Sequence, residues 1–172
     1  MTIVREGRFC KDTYKRIDAD WELPVNSDGL GDAIVPFDWL EDLEANWPNR
    51  GHIGVDVKNT MPFEELEPHL DRLTLIAINF PAFSDGRGFS LAKTLRNHGF
   101  KGTLRATGPL IADQYFHTLG CGFDEVEIPE AMAARQPEDQ WRQAHDLRLL
   151  AYQRGYGGDA KNILEQRRAG RR

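Results

Sequence analysis

Cysteine is nearly missing from this chain of 172 residues, which has only Cys10 and Cys121. Two thiols cannot build a four-thiolate iron–sulfur or zinc site, and neither stands in a CxxC pair. Both read as plain thiols, partly buried, rather than as a disulfide. Long apolar runs are missing as well. Nothing approaches the roughly 18 residues needed to cross a bilayer. Met1-Thr2-Ile3-Val4-Arg5-Glu6-Gly7 lacks the apolar stretch and cleavage site of a secretory signal. The expected compartment is the cytoplasm, with no membrane partner. A positive excess is also absent. The net charge is −5, with an acidic body and a basic end made by Lys161, Arg167, Arg168, Arg171 and Arg172. An acidic body argues against nucleic acid as a partner.

Several catalytic signatures are lacking. There is no GxGxxG and no GxxxxGK[ST]. His52, His69, His98, His117 and His145 show neither HxH nor HExxH spacing, and Ser90 has no GxSxG elbow. No flavin, haem, siroheme, cluster or metal is therefore expected.

What is present is a globular balance, 40% hydrophobic and 28% charged, in a length that suits one domain. Ile3-Val4-Arg5 and Arg8-Phe9-Cys10 flank the turn signal Glu6-Gly7 and predict a β-hairpin within residues 1–17. Between 32 and 128, strand and helix patterns alternate. Ala33-Ile34-Val35 predicts a strand, and Phe37, Leu40, Leu43 and Trp47 a helix. Ile53, Val55 and Val57 alternate as a strand, and Phe63, Leu66 and Leu70 share a helical face. The apolar run from Leu73 to Phe80 suits a strand covered on both faces. A helix over 85–98 stops at Gly99, and Thr103-Leu104-Arg105-Ala106 predicts the next strand. Pro109 opens a helix with Ile111, Tyr115 and Leu119 on its buried side. The last strand, Phe123 to Ile128, carries acidic residues that suggest a sheet edge. A closing helix near 138–152 is anchored by Trp141, Leu147 and Leu150, and 155–172 reads as a flexible basic tail.

The expected fold is therefore one α/β domain over residues 1–154. Its parallel sheet has about five strands, open and doubly wound or curled into a partial barrel, with an N-terminal hairpin.

In such folds ligands gather beyond the carboxyl ends of the strands. That rule selects Asp56 and Lys58, then Asn79 with the loop that follows it, then Arg105 with Thr107-Gly108. Ser84-Asp85-Gly86-Arg87-Gly88 combines glycines, a helix start and a guanidinium, the elements of an anion site. The competing account makes Asp85 an N-cap and Arg87 the partner of a nearby carboxylate. Arg105, flanked by Leu104 and Ala106, needs Asp56, Asp85, Asp113 or an anionic ligand beside it. The candidate ligand-binding set is Asn79, Asp85, Gly86, Arg87, Gly88 and Arg105, with Asp85 and Asp113 as acid–base candidates.

Residues 79–92 and 95–96, with Gly99-Phe100-Lys101-Gly102, Leu104-Arg105-Ala106-Thr107-Gly108, Asp113-Gln114 and Gly120-Cys121-Gly122-Phe123, resemble the bacterial domain-of-unknown-function family 934. The resemblance is specific from about Gly51 to Ile128. Leu110-Ile111-Ala112 departs from the family's usual run before Asp113. Members are commonly labelled oxidoreductases involved in sulfite reduction, from the company their genes keep. The resemblance implies sulfate assimilation as the pathway and leaves the molecular role open, with sulfite reductase and a small anionic ligand as the candidate partners. It supplies no catalytic residues. Six-electron reduction belongs to cofactors with recognisable sites, so the expected role is an accessory one. The alternatives are a small-molecule enzyme using Asp85 or Asp113 and a sensor of a sulfur metabolite.

Overall fold

The computed structural model describes residues 1–17, 32–41 and 52–147. Their strands form one eight-stranded sheet. β1 (Thr2–Arg5) and β2 (Arg8–Cys10) make the hairpin, with Glu6 and Gly7 both at positive φ (53° and 74°). That pair of angles is the two-residue turn whose twist matches the strands it joins. β3 (Lys15–Arg16), β4 (Ala33–Pro36), β5 (Ile53–Lys58), β6 (Leu75–Asn79), β7 (Thr103–Thr107) and β8 (Glu125–Ile128) follow. The spatial order is β2-β1-β8-β7-β6-β5-β4-β3, and β3 to β8 are parallel throughout.

This order decides between the two expected sheets. Each parallel strand lies beside its predecessor in the chain, so right-handed crossovers all step the same way and place their helices on one face. A doubly wound sheet would reverse direction at some strand. The protein is a curled half-barrel. Curling is also required by contact: a flat sheet would hold β3 and β8 about 24 Å apart, five strand spacings. Arg16 on β3 instead forms an ion pair with Glu127 on β8.

The convex face carries the helices: α1 (Phe63–Leu66), α2 (Arg87–Asn97), α3 (Ala112–Gly120), α4 (Glu130–Arg135) and α5 (Glu138–Leu147). Val55, Val57, Ile76, Ile78, Leu104, Ala106, Val126 and Ile128 face them and join Leu91, Leu95, Tyr115, Leu119 and Trp141 in the main core. Tyr115 and Trp141 meet edge to face, with ring centroids 5.4 Å apart, and tie α3 to α5. Alternate strand residues face the hollow. There Ile34, Leu75 and Ala77 form a second, smaller apolar cluster with Tyr14. Residues 11–14 run from β2 to β3, and Tyr14 Oη lies 3.3 Å from the Thr74 hydroxyl at the amino end of β6.

Several expectations need correction. β8 is not an edge, because β1 pairs with it antiparallel. Glu125 and Glu127 are buried, and their charge faces arginines rather than water. β3 was not foreseen, since two residues give no readable period. The helix expected from Pro109 begins at Ala112. Leu147, expected as an anchor, is 55% exposed at the end of α5. Leu150, most of the helix expected after Phe37 and the basic tail lie outside the described residues. No described helix is long and apolar enough to cross a membrane.

Candidate functional site

The hollow of the curl is lined by charge that is paired internally. Arg105 is fully buried, and its neighbour in register on β8 is Glu125. Arg105 Nε donates to Glu125 at 2.7 Å, Nη1 and Nη2 donate to Asp12 at 2.8 and 2.9 Å, and Nη1 also reaches Glu127 at 3.3 Å. Arg5 donates twice to the other Glu125 oxygen, at 2.8 and 2.6 Å. Arg16 joins Glu127 to Asp56. Arg5, Glu125, Arg105, Glu127, Arg16 and Asp56 thus form one connected line, with Asp12 branching from Arg105. The expectation that Arg105 needs partners holds, but they are not Asp56, Asp85 or Asp113. Strand register supplies Glu125, and the curl brings in Asp12 from the segment before β3.

Burial disfavours the Arg105 charge, but Asp12 and Glu125 more than offset it and hold the guanidinium above its ordinary pKa. Burial likewise pushes the Asp12 carboxyl up. Hydrogen bonds from Arg105 and from the Tyr14 N–H, with the charges of Arg105 and Arg16, outweigh it and leave Asp12 below its usual value. A carboxyl depressed in the folded state contributes stability above its unfolded pKa, about 3.9. That contribution is lost as pH falls through the lower folded value. Chemical denaturation between pH 7 and pH 2 should therefore show stability falling below about pH 4. The fall should be shallower in Asp12→Asn. An equal acid response in the two proteins would mean that Asp12 carries none of it.

The open end of the curl lies at the carboxyl ends of β5, β6 and β7. Lys58, Asn79 and Thr107 stand side by side in register there, all on the hollow face. The loop after β6 leads into α2, where Asp85 and Arg87 clasp each other. Asp85 Oδ1 accepts from the Arg87 N–H at 3.2 Å and from its Nε at 3.0 Å, and Nη2 donates to Oδ2 at 2.6 Å. Arg87, then Asn59, hold the Asp85 carboxyl well below the usual carboxylate range. Gly86 opens the helix, and Gly88 packs so closely that a Cβ there would sit 2.6 Å from the Phe80 ring. The loop is fastened from the other side by Gln114, whose Nε2 donates to the Phe83 carbonyl at 2.7 Å. Asp113 is exposed on the first turn of α3.

The predicted residues therefore separate. Asn79, Asp85, Gly86, Arg87 and Gly88 gather at the open end on β6, its loop and the head of α2. Arg105 belongs to the buried line, and no ion pair joins it to Arg87. Asp12, Glu125 and Glu127 were missed as its partners. The alternation of Glu125 and Glu127 with Val126 and Ile128 was the available signal, since it puts both acids on one face. Asn59 was missed too. It is 7% exposed, and its Nδ2 is a buried donor without a hydrogen-bond partner. Among the described residues no group of three or more His, Cys, Asp or Glu side chains is placed to hold a metal ion.

One-way winding of a parallel sheet that curls far enough for β3 to reach β8 defines an α/β half-barrel. Within that class, the chain belongs to the family described as "Bacterial protein of unknown function (DUF934)", whose model matches residues 54–161. The match takes in most of β5 and everything described after it, but not the hairpin, β3 or β4. No curated protein and no solved structure matches the chain.

Proposed function

We propose that the protein is an accessory component of sulfite reduction, acting through contact with the reductase or with a small anionic intermediate of sulfate assimilation. The pathway comes from the association of the family's genes with those of sulfite reductase. The observation that favours assistance over autonomous acid–base chemistry is the state of Asp85. A general acid or base works best with a pKa near the working pH. Asp85 is clasped by Arg87 and held ionised far below neutrality. It is suited to fixing the loop ahead of α2, and poorly suited to moving protons at pH 7.

Capture of the tagged protein from cells growing on sulfate should recover sulfite reductase subunits. Arg87→Met, which opens the clasp on an exposed loop, should reduce that recovery, as should removal of residues 155–172. If no reductase is recovered and the purified chain alone turns over a sulfur compound, the accessory reading is wrong. The enzyme reading, with exposed Asp113 as its remaining carboxyl candidate, then replaces it.

A further inference from the structure

The polar groups at the open end can be sorted by whether the fold already uses them. Asp56 and Glu127 are each engaged by Arg16, and Asp85 by Arg87. Gln114 is spent on the Phe83 carbonyl and on the Ile111 N–H. The Thr107 hydroxyl donates to the Ile78 carbonyl, at a long 3.4 Å. Three side chains are left over. Lys58 and Asn79 are direct partners in register, exposed on the hollow side of adjacent strand ends, and no ion pair or side-chain hydrogen bond engages either. Asn59, the next residue after Lys58, keeps its unpartnered Nδ2 buried. Its amide helps hold the Asp85 carboxylate ionised, yet Nδ2 makes no hydrogen bond that satisfies it.

A buried amide N–H without an acceptor costs about 1–3 kcal/mol. Such a group is a standing demand for an acceptor from outside the chain. The three unspent side chains supply one ammonium and two amides. The carboxylates around them are already neutralised by arginines, so the unsatisfied chemistry is that of donors. The head of α2, at the end of the loop from Asn79, adds a positive helix dipole.

We propose that the open end of the half-barrel is a binding site for a small, acceptor-rich oxyanion, with Lys58, Asn79 and Asn59 as its donors. Lys58 supplies the charge, Asn79 a neighbouring amide, and Asn59 the buried donor whose bond the ligand completes. The ligand class follows from these donors and not from the partner proposed above, so the two readings fail separately. A chain that binds an oxyanion but captures no reductase keeps the site and loses the contact with the reductase.

The test is a titration of the ¹⁵N-labelled full chain with sodium sulfite, sulfate and phosphate in separate series, against sodium chloride at matched ionic strength. Side-chain amide signals of asparagine report directly on Asn59 and Asn79. Saturable shifts of the Asn59 and Asn79 amide signals with at least one oxyanion, absent with chloride, are expected. The exposed substitutions Lys58→Gln and Asn79→Ala should each weaken binding about tenfold, the loss of one charge-assisted hydrogen bond. Both should leave the backbone spectrum otherwise folded. The order of affinity among the three ions tells a sulfur oxyanion from phosphate. If neither amide signal moves with any ion beyond the chloride control, or if Lys58→Gln and Asn79→Ala bind as tightly as the parent, the site does not exist.

Discussion

Replacing Arg105 with methionine is expected to destabilise the protein by about 3–5 kcal/mol, the range for stripping one partner from a buried ion pair. The loss does not come from the missing attraction alone. Arg105, Glu125 and Glu127 are all buried, and without the guanidinium Glu125 keeps only the half-exposed Arg5. Glu127 keeps only Arg16, and Asp12 loses both of its bonds from the guanidinium. Arg105→Lys should recover only part of the loss, because one ammonium cannot reproduce a fork that reaches three carboxylates. Urea denaturation at pH 7, read as a change in midpoint at constant slope, measures both effects. A combined replacement of Arg105, Glu125 and Glu127 by apolar residues should be far less damaging than Arg105→Met alone, since it leaves fewer orphaned charges. If Arg105→Met unfolds at the parent's midpoint, the buried line contributes nothing to stability and the hollow must be held by its apolar cluster.

The same residues show how far the sequence could be read. The convex half of the fold was legible because it obeys simple periods: Val55 and Val57, Ile76 and Ile78, Leu91 and Leu95 recur at the spacing of their own elements. The hairpin was legible from its turn. What the sequence could not disclose was the curl. A right-handed strand–helix series is compatible with both a doubly wound and a singly wound sheet, and the choice lies in long-range order rather than local pattern. Without the curl, Asp12 and Arg105 have no reason to meet across 93 positions of chain. Without the N-terminal strand added beside β8, Glu125 and Glu127 read as the charged residues of an exposed edge. The loop of residues 80–88 was legible as a place, and its clasp was among the readings on offer. Asn59 gave no local sign, because an unpartnered donor is a property of its surroundings.

Glycine 108 has the second large expected effect. Its φ is +131°, and a Cβ built there would lie 2.2 Å from the carbonyl oxygen of Phe80. That oxygen cannot easily retreat. Phe80 is held by its own N–H, which donates to the Thr107 carbonyl at 2.7 Å, and its ring packs against Phe89 and Phe123. Gly108 in turn donates its N–H to the Glu127 carbonyl at 3.0 Å, so moving it away pulls on β8. Gly108→Ala should therefore cost about 3 kcal/mol or more: backbone strain of roughly 1–3 kcal/mol plus a clash against fixed main chain. Gly99 provides the comparison. It also has positive φ, +91°, but nothing lies within 4 Å of its missing Cβ. Gly99→Ala should cost only the backbone term, about 1–2 kcal/mol. Urea midpoints of the two variants, measured together, separate close approach from conformational preference. If Gly108→Ala and Gly99→Ala lose the same stability, the contact between Gly108 and the Phe80 carbonyl is not what requires glycine, and the strand ends at the open side of the barrel are looser than this packing implies.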